Sequence, residues 1–426
     1  MPSATASSKS PRVHVVGAGI AGLACAVRLL REGRAVTLYE VAGQAGGRCR
    51  SFHDSKLDRS IDNGNHILLS ANHEALDYVA EIGARDSLIG PPRAVFPFVD
   101  LASGERWTLR PNASPLAWWI FSAKRGIPHT RPASYLAGLK LAFAKPSDRV
   151  GDLIDRNDPL WTRFWEPLTV AALNTAPEEA SARLLWLVLK ETFVKGEASC
   201  RPLIARDGLA QSLVEPALAL LRAGGAEVRF KQRLRAIESA GEAVTGLDLT
   251  EGKVALGPDD RVVLALPPPV TGDLLPGLEV PRESRPIVNA HILLPHPPEL
   301  PEGLPFLGLV GGTADWIFLR GDIASLTVSA ASALAEEPND AVARRLWRDT
   351  ARALGYDLEA TPPIRVIKER RATFAQDPTA LTHRAKPRTA WRNLFLAGDW
   401  TDTGYPATIE SAVRSGRTAA RLVLAA

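Results

Sequence analysis

Residues Gly17-Ala18-Gly19-Ile20-Ala21-Gly22 form a G-x-G-x-x-G turn directly after the apolar run Val13-His14-Val15-Val16, and such a turn is built to hold the pyrophosphate of a dinucleotide. Gly17 permits the tight bend, Gly19 lets the backbone approach a phosphate that a Cβ would obstruct, and Gly22 lets the following helix lie close to the sheet. That helix would turn the N–H groups of Ile20 and Ala21 and a partial positive charge toward the phosphates. A second strand pattern, Ala35 to Tyr39, closes on Glu40, about twenty residues after Gly17, the spacing of an acid that grips an adenosine ribose. An acid at this point argues against a 2′-phosphate. The segment Gly43-Gln44-Ala45-Gly46-Gly47-Arg48 adds a second glycine-rich loop ending in a base, which suits a ligand longer than one nucleotide. Glu40 alone does not separate NAD from FAD.

The elements that must position these residues can be read from periodicity. Leu23, Ala26, Val27 and Leu30 share one face of a helix that stops at Gly33. A helical stretch from Leu209 to Leu221 precedes strand patterns at Ala226 to Phe230, Val244 to Leu249 and Arg261 to Leu266, the last stopped by Pro267-Pro268-Pro269. A final strand, Asn393 to Asp399, leads through a loop to a helix from about Ala407 to the end. The expected fold class is α/β, a Rossmann-type nucleotide-binding domain in three pieces, 12–71, 201–270 and 389–426, with an α+β substrate-binding domain from 72–200 and 271–388. The first part of that second domain reads as helical and tryptophan-rich. The other part carries short strands at Ile287 to Leu294, Phe306 to Val310, Trp316 to Arg320 and Ser325 to Ala330. Residues 1–11, rich in Ser, Ala and Thr, read as a disordered tail.

Composition bounds the rest. With 426 residues, 46% of them hydrophobic, the chain can bury a large core in two or three domains. Lys+Arg 51 against Asp+Glu 47 leaves +4, and no basic stretch interleaves with aromatics, so nucleic acid is not an expected partner. Three cysteines without C-x-x-C spacing indicate neither a disulfide scaffold nor a metal site, and fit a reducing, cytoplasmic setting. No signal peptide and no stretch of eighteen uncharged apolar residues is present.

Taken together, the first glycine turn, Glu40, Gly46-Gly47-Arg48, Ile61-Asp62-Asn63-Gly64-Asn65-His66, Leu396-Ala397-Gly398-Asp399-Trp400 and Pro406-Ala407-Thr408-Ile409-Glu410-Ser411-Ala412 resemble the flavin amine oxidase and phytoene desaturase superfamily. Asp62 to His66, Trp165-Glu166-Pro167-Leu168, Ala171 to Thr175, Cys200-Arg201-Pro202-Leu203-Ile204 and Gly398 to Asp402 further resemble its squalene-associated branch, the hydroxysqualene dehydroxylase family of hopanoid biosynthesis. The resemblance covers nearly the whole chain. It implies a glutathione-reductase-like, amine oxidase topology, FAD held noncovalently, and removal of the hydroxyl of hydroxysqualene to give squalene. The expected cofactor contacts are Gly17, Gly19, Ile20, Ala21, Gly22, Glu40, Gly46, Gly47, Arg48, Gly64, Asn65, Val228, Gly398, Asp399, Thr408 and Ile409. The helix beginning near Thr408 would aim its N-terminus at the pyrimidine edge of the flavin, where its dipole favours negative charge. Glu410 reads as a first-turn acid of that helix.

Replacing C–OH by C–H requires a protonated leaving group and a hydride equivalent. Asp62 and His66 are placed to reach the substrate side, and a carboxyl beside an apolar chain would stay protonated near neutral pH, as an acid should. Glu166, among Trp161, Phe164 and Trp165, is the other expected acid. In bland terms, Asp62 caps a turn and Glu166 begins a helix. No second G-x-G-x-x-G appears, so the electrons come from an external donor that the sequence does not identify. A thirty-carbon polyene must come from a bilayer, and Trp118, Trp119, Ile120 and Phe121, followed by Lys124, Arg125, Arg131, Tyr135, Lys140, Phe143 and Lys145, suit a peripheral membrane surface on the inner face of the cell membrane. The same fold also serves polyene desaturases, amine oxidases and nonenzymatic prenyl-lipid carriers, and these alternatives stay open.

Overall fold

Apolar runs buried on both faces make a parallel sheet covered by helices. The computed structural model describes residues 11–115, 117–122 and 124–426, so the expected N-terminal tail lies outside the described residues apart from Pro11. Its parallel sheet has five strands in the order Glu227–Arg229, Ala35–Tyr39, Arg12–Val16, Arg261–Leu264 and Leu394–Leu396, with Val15 level with both Leu38 and Val263. The carboxyl ends of these strands therefore gather residues 17, 40, 265 and 397 at one rim. Along one face the helix Ile20–Arg31 lies against the C-terminal helix Ile409–Leu424 so closely that a Cβ on Gly416 would sit 2.2 Å from the Ala21 carbonyl oxygen. Small residues on the first helix, Ala21, Gly22, Ala24 and Cys25, make that approach possible. The opposite face is covered by an antiparallel meander, Ala236–Ala240, Ala243–Leu249 and Gly252–Ala255.

A second sheet of seven strands runs in the order Ile364–Phe374, Ser284–Leu293, Ile323–Val328, Trp316–Arg320, Phe306–Val310, Phe96–Asp100 and Arg106–Leu109. Side chains alternate along each strand. Val288, Ala290, Ile292, Ile317 and Leu326 face the helix Asn339–Leu354, while Phe306, Trp316 and Phe318 pack with the layer that contains Trp119, Trp161, Phe164 and Trp165. The three cysteines are free and buried.

Three features depart from the expectations. The helical stretch from Leu209 splits into Leu209–Leu213 and Glu215–Ala223, because Pro216 removes a backbone donor at the start of the second piece. Within 72–200, expected to be mostly helical, Phe96–Asp100 and Arg106–Leu109 extend the seven-stranded sheet. The helix His73–Glu81, assigned to the substrate part, instead places Ala75, Tyr78 and Val79 in the core of the parallel sheet and its helices.

Gly416→Ala is expected to destabilise the protein by about 1–3 kcal/mol, since the added methyl overlaps backbone that neither helix can move alone. Thermal denaturation checks it, and an unchanged midpoint contradicts the close helix contact.

Candidate cofactor and active site

The first strand ends in a turn that only glycine fits. Gly17 has φ 106°, and a Cβ there would lie 2.3 Å from the Ala265 carbonyl oxygen. At Gly19 the situation is reversed, with open space where a Cβ would project. Gly19 is also the N-cap of the helix Ile20–Arg31, which has no side-chain cap and no acid in its first turn. Its first N–H groups are therefore left for a ligand, and an anionic one suits them. Glu40 braces this cradle by accepting the Ala18 N–H at 2.8 Å and the Ala42 N–H at 2.9 Å. Beside it runs the backbone of residues 229 to 232, through Glu40 N to Arg229 O at 2.9 Å and Gln232 N to Glu40 O at 2.8 Å. Val228, expected at the cofactor, packs partly buried on the core of the parallel sheet one residue before that segment.

The second glycine loop lies on the first, with the Gly46 N–H donating to the Ala18 carbonyl at 2.8 Å. Just beyond Gly47, Arg48 reaches the far end of the chain. Its guanidinium donates to Asp399 Oδ1 at 2.8 Å and to the Ala372 carbonyl at 2.5 Å, and the Asp399 carboxylate holds it charged, above its ordinary range. Gly398 is fixed through its N–H to Ser415 Oγ at 2.6 Å, Thr408 caps the C-terminal helix by accepting the Ser411 N–H at 3.3 Å, and Ile409 is buried in the core. The loop after Asp399 is held by a residue the sequence reading missed. Arg384, buried and lying over the Phe374 ring, donates to the carbonyls of Asp399, Trp400, Thr401 and Tyr405. Burial brings its pKa down to about 10, so it stays charged at neutral pH. Glu410 accepts the Ala75 N–H at 2.8 Å and the Arg414 guanidinium at 2.8 Å, which ties the start of the helix His73–Glu81 to the C-terminal helix. An uncapped helix start facing open space, a braced acid and a charged loop at one rim fit FAD.

The strand Arg59–Asp62 ends in the turn that separates this cradle from the seven-stranded sheet. Asn63 N–H donates to the Arg50 carbonyl at 3.0 Å, and on the other side Asn289 donates to the Asn63 carbonyl at 3.3 Å. Thr327 links the two sides, donating to Asn289 Oδ1 at 3.0 Å and accepting from Asn65 at 3.0 Å. Gly64 lies directly over the Asn289 side chain. Asp62 does not have the apolar surroundings expected of it. Its Oδ1 accepts from Ser51 Oγ at 2.5 Å and Leu209 N at 2.9 Å, and its Oδ2 accepts from Arg320 at 2.7 Å. His66 is brought down to about 4 by burial and by the Arg48 charge, so its imidazole is neutral near pH 7. Burial does the same to His291, whose Nδ1 is paired with Ser325 Oγ at 2.7 Å.

Asp62, Asn65 and His66 line a cavity of about 190 Å³ together with Phe318, Arg320 and Ile204. Glu166 is not among the lining residues. It begins the helix Glu166–Leu173, where burial and nearby Glu178 raise its pKa, and its charge acts on Asp315, which burial pushes up to about 6. The residues missed here, Asn289, His291, Ser325, Thr327 and Arg320, do leave a signal. Asn289 and His291, and Ser325 and Thr327, are polar side chains two residues apart in otherwise apolar stretches, and Arg320 follows Trp316 and Phe318 at the same spacing, which places each set on one sheet face.

The model of the flavin containing amine oxidoreductase family matches residues 20–424. The chain is 47% identical over 418 residues to a hydroxysqualene dehydroxylase of Rhodopseudomonas palustris, covering 98% of this chain and 99% of the relative. It is 45% identical over 413 residues to a hydroxysqualene dehydroxylase of Sinorhizobium fredii, covering 97% and 98%. Among solved structures, cyclohexylamine oxidase from Brevibacterium oxydans superposes with a TM-score of 0.68 at 15% identity, over 97% of this chain and 99% of that one, a likeness of fold.

The two neutral imidazoles give the protein a pH dependence. His66 and His291 take up a proton near 6.5 when unfolded but only at about 4 when folded, so stability present above pH 6.5 is lost as pH falls toward 4. Asp315 works in the opposite sense, contributing below 3.8 and losing that contribution as pH rises through about 6. His14, lowered by burial, joins the imidazoles, and Glu166 and Asp349, raised by burial, join Asp315, so a single substitution isolates the imidazole part. From pH 7 to pH 5 the thermal midpoint of His291→Asn is expected to fall by a few degrees less than that of the wild type; equal slopes contradict the buried neutral imidazole.

Proposed function

The chain belongs to the flavin containing amine oxidoreductase family and, within it, to the hydroxysqualene dehydroxylases, and from that membership we propose that it removes the hydroxyl of hydroxysqualene to give squalene, with FAD as cofactor. The observation that carries this reading is the near-complete match, 47% identical over 98% of the chain. Same-fold activities such as polyene desaturation and amine oxidation are not better supported.

When bound, reduced FAD supplies the hydride equivalent that replaces the C–O bond by C–H. The chain has three further tasks. It must hold that cofactor, and Glu40, Gly46, Arg48 and Asp399 at the rim of the parallel sheet support that role. It must keep water from the reacting carbon, which apolar walls such as Ile204 and Phe318 favour. It must also stabilise charge as the hydroxyl departs. Of the three groups expected to do so, Asp62 and His66 face the cavity, which supports roles at the substrate. Asp62 acts there as an anchored anion, and His66 as a neutral hydrogen-bonding group able to present one N–H. Glu166 lies outside the lining, which favours its role at the start of its helix.

The reading extends to a peripheral membrane surface on the cytoplasmic side. Trp118, Phe121 and Phe143 are 60%, 63% and 87% exposed, with Leu136 and Leu139 beside them in sequence, and Lys124, Arg125, Arg131, Lys140 and Lys145 are also exposed. Apolar side chains interspersed with bases suit an anionic lipid surface. Trp119 does not belong to that set, since it is only 4% exposed and meets Tyr135 edge-on in the core.

Anaerobic incubation of the FAD-loaded protein with a flavin reductant and hydroxysqualene is expected to yield squalene, and recovery of unchanged alcohol contradicts the reading. Replacing Trp118, Phe121 and Phe143 together by Ser should cut co-sedimentation with anionic liposomes at least tenfold at unchanged thermal stability. Full retention of liposome binding contradicts the membrane surface.

A further inference from the structure

The cavity beside the Asp62 to His66 turn has apolar walls at Ile89, Ile204, Leu209 and Phe318 and a polar side that includes Asp62, Asn65 and His66, with the guanidinium of Arg320 among its lining and the exposed Arg206 at its edge. This charge is not loose. Asp62, 2% exposed, accepts its Nη2 at 2.7 Å, and Asp62 is itself anchored by Ser51 and by the Leu209 N–H at the start of a helix. A carboxylate fixed by two other donors fixes the guanidinium in turn. Arg320 remains 33% exposed, and the bond to Asp62 is its one side-chain hydrogen bond among the described residues. A guanidinium carries five N–H donors. The remaining ones are left for solvent or for an occupant of the cavity.

We propose that Arg320, oriented by Asp62, donates the hydrogen bond that receives the substrate's hydroxyl oxygen, and thereby makes the cavity prefer an alcohol over the corresponding hydrocarbon. The inference rests on the dehydroxylation reading and deepens it. A long polyene alcohol has one polar atom, and its apolar remainder binds an apolar wall equally well before and after the hydroxyl is lost. Discrimination therefore has to come from a polar group that the hydroxyl satisfies and the product does not. Arg320 meets that requirement, and its place on the strand Trp316–Arg320 puts it on the same sheet face as Phe318, so one strand supplies both the apolar wall and the donor. The role assigned to the guanidinium is donation of a hydrogen bond. The product, without an oxygen to accept that bond, is held more weakly than the substrate, which favours its release.

The test uses the FAD-loaded, oxidised protein, in which no reductant is present and no turnover occurs, and measures binding of hydroxysqualene and of squalene in detergent micelles by perturbation of the flavin absorbance. The wild type is expected to bind the alcohol roughly tenfold to a hundredfold tighter than the hydrocarbon, the range of a hydrogen bond to a charged group. Arg320→Met should cut this ratio at least fivefold while leaving squalene affinity unchanged. Arg320→Lys, which keeps the charge but not the planar fork, should retain part of the preference, and it serves as the deciding variant if Arg320→Met fails to fold. A full alcohol preference in either variant overturns the assignment. Failure of the dehydroxylation reading is separately visible, as absence of squalene from the reduced wild type.

Discussion

The ion pair between Arg48 and Asp399 is the constraint on which the rest of the structure depends. Asp399 is 6% exposed, and a carboxylate so buried costs several kcal/mol unless a partner compensates it. The partner comes from a residue 351 positions earlier in the chain, and the same guanidinium donates to Ala372 on the seven-stranded sheet. One side chain thus joins the glycine loop, the C-terminal strand and the substrate sheet. Gly46 rests on Ala18 two residues before Arg48, and the loop after Asp399 is held by Arg384, which collects its carbonyls. Neither arrangement is local.

A second level of order sits on this junction. The Asp62 to His66 turn has the cofactor cradle on one side and a cavity on the other, and both of its sides are hydrogen-bonded. Arg50 holds it toward the cradle, while Asn289 and Thr327 hold it toward the sheet. Apart from Asn63 Oδ1, which has no hydrogen-bond partner among the described residues, these buried polar contacts of the turn are made, and such contacts rigidify it. A site that must keep a reacting carbon at a fixed distance from a cofactor needs that rigidity.

Much of this was legible in the sequence wherever the signal is local. The first glycine turn, Glu40 and the strand closing on Asp399 each follow from a pattern within about twenty-five residues, and the structure brings all three to one rim. Pairings across the chain were not legible. Asp62 read as an acid in apolar surroundings because its charged partner lies outside its own segment; Arg320, 258 residues away, supplies that charge. Arg384 gave no signal, since all but one of its acceptors, Thr403 Oγ1, are backbone carbonyls, which every sequence has. Trp118 and Trp119 are adjacent and identical in type, yet one is exposed and the other buried, because a tight helical turn sends neighbours in different directions. The helix His73–Glu81 looked like part of the second domain for the same reason: its buried face meets a helix more than 330 residues later, which receives its first N–H groups through Glu410.

The central claim is that three distant stretches of the chain converge to hold FAD beside a cavity for an apolar alcohol. Titration of the purified protein with FAD, followed in the visible spectrum, tests it most directly. The account predicts saturable uptake of one FAD per chain and a shift of the bound flavin band when hydroxysqualene is added. Protein that takes up no FAD, at any excess, contradicts it.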